Sequence, residues 1–98
     1  MICMIRILKT PDFEKWFKQL RNKEQLQVDS RLEMVKHGHF GDAKSLGDGL
    51  AELRWKSGRR IYFFKSSKST IVILLGGLKN AQEKDIKKAR ILLRRHGN

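Results

Sequence analysis

The sequence predicts an α+β fold in which a small, mainly antiparallel β-sheet carries its helices on one face. Two helical patterns follow a first strand-like segment, three strand-like segments succeed one another between residues 50 and 76, and a helical pattern follows them. The element order is therefore β-α-α-β-β-β-α, and the second sheet face is expected to be free. A chain of 98 residues suffices for one core, so residues 1–98 are predicted to form a single domain.

The first half of the chain supplies one strand and two helices. Residues 1–8, MICMIRIL, are apolar on both faces, which favours a strand inside the sheet. Thr10 is suited to cap a helix that begins at Pro11, and its inward face carries Phe13 and Phe17. A second helix is predicted from about residue 23 to residue 37. Its apolar positions, spaced by four and then three residues, are Val28, Leu32 and Val35.

The second half begins with a glycine-rich loop, within which a brief strand is predicted at 43–46. Strands are then predicted near 50–56, 59–65 and 70–76, and the last of them, TIVILLG, is apolar on both faces and belongs inside the sheet. Asn80 and Glu83 have the spacing of a capping box that opens a C-terminal helix. The residues of this helix that are expected to face inward are Ile86, Ala89 and Leu93.

The charge balance is the strongest bulk signal. There are 22 Lys and Arg residues against 10 Asp and Glu residues, a net charge of +12, which favours polyanionic partners and nucleic acid first. Solubility or an acidic protein partner remains an alternative. The one cysteine, Cys3, is expected to be a buried thiol in a reducing cytoplasm. No signal peptide and no transmembrane helix are predicted, since no apolar run approaches ~20 residues.

The stretch ELRWKSGRRIYFF, residues 52–64, holds four cations, a carboxylate and four aromatic rings around a Ser-Gly pair. A two-residue turn would set Leu53 opposite Tyr62. A three-residue loop that ends at Gly58 sets Glu52 opposite Tyr62 instead, and Arg54 opposite Arg60. Only the second register separates the faces, because it puts Ala51, Leu53, Trp55, Ile61 and Phe63 on the core side.

The polar face of this hairpin suits phosphate recognition. Two arginines directly opposite each other repel, and a phosphate between Arg54 and Arg60 would relieve that repulsion. Tyr62 can stack on a base or donate its hydroxyl. The alternative is a solvated face on which Glu52 pairs with both arginines. The sequence offers no convincing metal site, since the His37-Gly38-His39 stretch lacks an evident third ligand.

Two longer motifs identify a resemblance. The stretches GDAKSLGDGLAELRWKSGRRIYFF, residues 41–64, and LLGGLKNAQEKDIKKA, residues 74–89, resemble those of the RelE/ParE-type toxins of bacterial type II toxin–antitoxin systems, in the HigB-like "addiction module killer protein" branch. The resemblance spans nearly the whole chain and implies a sheet backed by two N-terminal helices. It also implies a cognate antitoxin, of the helix-turn-helix type, as partner.

What the resemblance implies about function leaves three readings open. Many such toxins are ribosome-dependent endoribonucleases that cut mRNA, ParE-like relatives poison DNA gyrase, and a noncatalytic RNA- or ribosome-binding module is the third reading. Cleavage by attack of the 2′-hydroxyl on its own phosphorus needs a base, an acid and cations but no metal, and no cofactor is expected. Glu52 and Lys79 are the alternatives for the base. The predicted catalytic residues are Glu52, Arg54, Arg60, Tyr62 and Lys79, and those predicted to bind RNA or the ribosome are Lys56, Arg59, Gln82, Lys84, Lys87 and Lys88.

Overall fold

The computed structural model describes residues 4–97 and has the predicted fold class and element order. Among these residues, no helix is long and apolar enough to cross a membrane. The predicted brief strand near 43–46 is also present. The elements are β1 (Arg6–Lys9), α1 (Pro11–Lys18), α2 (Asn22–Lys36), β2 (Ala43–Gly47), β3 (Leu50–Arg54), β4 (Arg59–Ser67), β5 (Thr70–Leu78), a 3-10 turn (Lys79–Ala81) and α3 (Gln82–His96).

The five strands form one sheet in the order β1-β5-β4-β3-β2. All neighbours are antiparallel except β1 and β5, which run parallel, so the mainly antiparallel prediction is confirmed. The inner position of β5 is also confirmed. The prediction that the first strand lies inside the sheet is wrong, because β1 pairs on one side only and begins at Arg6. Cys3 and its predicted burial lie outside the described residues.

Helices cover both faces of the sheet, so the expectation of a free second face is wrong. The reason is that α3 also has an apolar stripe, and such a stripe is stable only against another apolar surface. The core under α1 and α2 contains Phe13, Val28, Leu32, Val35, Leu53, Ile61, Phe63, Ile71 and Ile73. The core under α3 contains Leu50, Tyr62, Phe64, Val72, Leu74, Leu75, Ala89 and Leu92.

Helix α1 is fixed to β5 at both ends of its contact with the sheet. The Thr10 hydroxyl caps the helix by accepting from the Phe13 N–H at 3.1 Å, and it donates to the Leu74 carbonyl at 2.7 Å. Further along β5, the Trp16 ring lies directly over Gly76, where a β-carbon would overlap the indole. The predicted cap is confirmed, and the glycine allows the helix to approach the strand closely.

The start of α3 differs from the predicted capping box. The chain enters α3 through the 3-10 turn, and no side chain caps the helix at Ala81. The first residue of the helix, Gln82, instead donates its side-chain amide to the Glu52 carboxylate, at 2.8 Å to Oε1 and 3.2 Å to Oε2. A tertiary contact with the sheet therefore takes the place of a local cap.

Candidate functional site

The β3–β4 hairpin has the predicted three-residue loop. The Trp55 N–H donates to the Arg59 carbonyl at 3.0 Å, the Gly58 N–H donates to the Trp55 carbonyl at 3.0 Å, and Gly58 has a φ of +104°. The register pairs Arg54 with Arg60 and Glu52 with Tyr62, as predicted. The apolar side chains on the α1 and α2 side are also those predicted: Ala51, Leu53, Trp55, Ile61 and Phe63.

Three of the predicted catalytic residues are buried under α3 and do not lie on an open face. Tyr62 is 0% exposed, Glu52 is 1% exposed and Arg60 is 8% exposed. Their side chains share the α3 side of the sheet with Leu50 and Phe64. The structure therefore brings Glu52, Arg60 and Tyr62 together, but it closes them off from solvent, and we call these three residues the buried cluster.

Arg60 is a buried cation without a carboxylate partner. Its Nη1 donates to two backbone carbonyls, those of Arg59 at 3.0 Å and Trp55 at 3.3 Å. Within residues 4–97 no carboxylate lies at ion-pairing distance from it. Its Nε is buried and has no hydrogen-bond acceptor. Burying a charge in this way is costly for folding, so an unpaired guanidinium is a reason to look for an anionic ligand.

The Tyr62 hydroxyl is the second unsatisfied group beside Arg60. It is fully buried and has no hydrogen-bond partner among the described residues. Burial, together with the negative charges of Glu52 and Asp85, raises the pKa of Tyr62 to about 12. The phenol is therefore neutral near pH 7, which suits a hydrogen-bond donor and not a general base.

The titration of Tyr62 predicts a loss of stability at high pH. Because its folded pKa is raised from 10.0 to about 12, its contribution is complete below pH 10 and is lost as pH rises through 12. We expect the wild-type protein to lose about 2–3 kcal/mol more than Tyr62→Phe over this window. Urea unfolding of both proteins at pH 9 and pH 12 measures this difference. Equal losses in the two proteins would contradict the prediction.

Two acidic side chains lie near Tyr62. Glu52 is held by the Gln82 amide, and Asp85, one helical turn after Gln82, packs against Gly77 of β5. Burial raises the pKa of Asp85 above its ordinary value. Asp85 was not among the predicted site residues. The signal that points to it is the Gln-x-x-Asp spacing, which puts Gln82 and Asp85 on one helix face.

Arg54 lies at the margin of the buried cluster, and its carboxylate partner is Asp42 instead of Glu52. Its Nη2 and Nε donate to Asp42 Oδ1, at 2.9 Å and 3.2 Å. These bonds lower the pKa of Asp42 and raise that of Arg54. The alternative in which Glu52 pairs with both arginines is therefore wrong, since Gln82 is the hydrogen-bond partner of Glu52.

The predicted lysines closest to the hairpin line an open groove. The Lys79 N–H donates to the Gly58 carbonyl at 2.7 Å, which holds the 3-10 turn against the hairpin loop. Lys56 and Lys79 both line the resulting groove of about 590 Å³, which we call the hairpin-tip groove. In the antiparallel pairing of β4 with β5, Arg60 lies opposite Gly77, which comes shortly before the 3-10 turn. The groove is therefore the solvent-facing neighbour of the buried cluster. Its lining is Lys56, Ser57, Gly58, Leu78, Lys79 and Asn80.

Arg59 lies on the other face of the sheet from Arg60. It is 5% exposed, contacts Gln27 Oε1 at 3.2 Å and Glu24 Oε2 at 3.7 Å, and lies over the Trp55 ring. Alternation along β4 explains this position, and a buried, paired Arg59 does not fit the predicted contact with RNA.

The predicted lysines of α3 are exposed, and one of them forms an ion pair with Asp12 at 3.6 Å. These lysines are Lys84, Lys87 and Lys88, of which the last forms the pair.

Comparison with known proteins places this geometry in context. No family model matches the chain. An uncharacterized protein of Haemophilus influenzae is 35% identical over 96 residues, which cover 95% of this chain and 97% of that protein. A mutant of the E. coli toxin RelE in its free state superimposes with a TM-score of 0.72 and 14% identity, over 90% of this chain and 97% of RelE.

Two further solved structures agree. The RelBE2 toxin–antitoxin complex of Mycobacterium tuberculosis gives a TM-score of 0.64 at 14% identity, covering 80% of this chain and 94% of the matched chain. The isolated E. coli RelE toxin gives 0.62 at 16% identity, covering 89% and 98%. The chain therefore belongs to one family with the Haemophilus influenzae protein, and its fold is that of the RelE-type toxins.

Proposed function

We propose that this chain is the toxin of a toxin–antitoxin pair and that it cleaves mRNA on the ribosome. The observation that carries the proposal is the buried Arg60, which has no carboxylate partner and lies beside the unsatisfied Tyr62 hydroxyl. The guanidinium and the hydroxyl can both donate hydrogen bonds to a phosphate group, whereas an apolar core leaves these donors unsatisfied. The likeness to a RelE toxin and to a toxin–antitoxin complex supports the toxin assignment.

The cleavage step needs few parts. The 2′-hydroxyl oxygen attacks the adjacent phosphorus, its proton passes to a base, and the 5′-oxygen of the next nucleotide leaves with a proton from an acid, giving a cyclic phosphate. Arg60 stabilises the extra negative charge on the phosphoryl oxygens in the transition state. The neutral Tyr62 hydroxyl donates to the same group, and Glu52 is the base closest to it in the sheet register.

The buried cluster must open before it can act. Arg60 and Tyr62 lie under α3, whose first residue is tied to Glu52 through the Gln82 amide. The backbone of an RNA strand in the hairpin-tip groove would meet Lys56 and Lys79 first. A small shift of the start of α3 then gives the phosphate access to Arg60. No side chain caps this end of the helix at Ala81, so the two hydrogen bonds from Gln82 to Glu52 are the side-chain contacts that must break for it to move.

The test is induction of the protein in growing cells, followed by mapping of transcript 5′ ends. We expect growth arrest and new ends within translated messages, and cleavage in a translation extract only when ribosomes are present. Arrest without new mRNA ends but with broken chromosomal DNA would show a gyrase poison. Neither arrest nor cleavage would leave RNA or ribosome binding as the function and overturn the proposal.

The proposal also includes a cognate antitoxin, of the helix-turn-helix type. The +12 charge favours an acidic partner, and long-range attraction to it is screened over about 8–10 Å at ordinary ionic strength. The neighbouring reading frame is the first place to look for it. Rescue of growth when the two proteins are produced together would support the pairing.

A further inference from the structure

A groove separate from the buried cluster runs between α2 and the hairpin loop. It has a volume of about 800 Å³ and carries two of the large apolar side chains that the described fold leaves exposed, Leu26 at 67% and Met34 at 52%. Ser30 lies between them, so the three form one stripe along α2 at intervals of four residues. We call this surface the α2 groove. Its other lining includes Lys23, Trp55 and Lys56.

The chemistry of the α2 groove is apolar with a basic rim. Trp55 forms part of the apolar lining, and Lys23 and Lys56 form no ion pair with a carboxylate of residues 4–97. An occupant that fits must offer apolar side chains to the stripe and carboxylates to the rim. Exposed apolar stripes with polar rims of this kind are typical of protein docking sites.

Two other occupants fit less well. A second copy of the chain would bring another net charge of +12 to a basic rim, which opposes association. A nucleic acid strand would leave Leu26 and Met34 without an apolar partner, and it could not stack on Trp55, since Arg31 lies 4.6 Å and Arg59 5.4 Å from the centroid of that ring. Arg31 is also held by the backbone carbonyls of Phe40 and Arg54, so it is not free to leave the ring.

We propose that the α2 groove is the docking site for an acidic, amphipathic helical segment of the antitoxin, an inference that rests on the proposed function. The segment places apolar residues on Leu26 and Met34 and carboxylates beside Lys23 and Lys56. Lys56 and Ser57 line both the α2 groove and the hairpin-tip groove. A bound segment therefore neutralises part of the RNA-binding surface without entering the buried cluster.

The test compares binding of the antitoxin, taken as the protein encoded beside this chain, to wild-type protein and to the double variant Leu26→Glu, Met34→Glu. The new carboxylates face an acidic segment and remove its apolar contact, so we expect the Kd to rise at least tenfold. The matched control is Leu8→Glu, a similar change at a 40% exposed leucine on the edge strand, which should bind within twofold of wild type. Cleavage of mRNA should be unchanged in both variants.

The outcomes separate this inference from the proposed function. Binding of the double variant within twofold of wild type would overturn the docking site and leave the toxin assignment standing. If the wild-type protein cleaves mRNA but the adjacent protein does not bind it, the docking inference fails and the endoribonuclease stands. A wild-type dimer in sedimentation that the double variant abolishes would assign the groove to a second copy, and loss of RNA binding in the double variant would assign it to nucleic acid. Either result overturns the inference.

Discussion

Replacing Arg60 with methionine is expected to abolish mRNA cleavage while the free energy of unfolding stays the same or rises. The loss of one charge-stabilising donor at a phosphoryl site costs about 10²–10³ in rate. Methionine keeps much of the buried volume and removes a cation that has no carboxylate partner, a change that is neutral or stabilising in comparable buried sites. The carbonyls of Trp55 and Arg59 lose the Arg60 guanidinium in this variant, but each keeps a hydrogen bond because it already accepts from a backbone N–H.

Loss of cleavage without loss of stability distinguishes a functional arginine from a structural one. Urea unfolding and cleavage in a ribosome-containing extract are measured on the same preparations. Lys68→Met removes one positive charge from an exposed turn, and it should change neither quantity. If Arg60→Met instead lost more than about 2 kcal/mol of stability, Arg60 would be a structural residue, because replacing a buried cation that has no carboxylate partner is otherwise neutral or stabilising. Retention of full cleavage would remove Arg60 from the proposed site.

Among the substitutions, the largest expected loss of stability at neutral pH comes from Gly76→Ala. The added methyl group would overlap the six-membered ring of Trp16, so α1 must move away from β5 or the indole must leave its place. Overpacking of this kind costs about 1–3 kcal/mol, which for a domain of this size lowers the Tm by about 4–8 °C per kcal/mol. Thermal unfolding followed by circular dichroism measures the shift.

The control for Gly76→Ala is the next residue of the strand. A methyl group at Gly77 meets only the carboxylate end of Asp85, which can swing away, so Gly77→Ala should cost clearly less. The steric cause is tested by adding Trp16→Leu to Gly76→Ala, because the double variant should lose less stability than the two single changes added together. Strict additivity would show that the indole is not the obstacle.

The hairpin was the most predictable part of the molecule. Residues alternate between the two faces of a strand, so only one loop length puts Leu53 and Trp55 on the same side as Ile61. The opposite positions of Arg59 and Arg60 follow from the same alternation. The cap at Thr10 was predictable as well, since it depends on neighbouring residues alone.

The position of α3 was not predictable from the same patterns. The second face of the hairpin looks suited to solvent because it carries Glu52, Arg60 and Tyr62. The same face also carries Leu50 and Phe64, against which the apolar side of α3 packs. The polar side chains are buried as a consequence, and a long-range hydrogen bond between Gln82 and Glu52 accommodates one of them. Local sequence carries no record of such a contact, because its two partners are separated by 30 residues.

The parallel pairing of β1 with β5 has a consequence for how the protein is made. The bond from Thr10 to the Leu74 carbonyl spans 64 residues, and Gln82 meets Glu52 only after β5 has been synthesised. Contacts of such long sequence separation form late, and a ribosome adds only about 5–20 residues per second. In a nascent chain, β1 therefore stays unpaired until β5 has been made, and the cluster around Arg60 stays uncovered until α3 has been made.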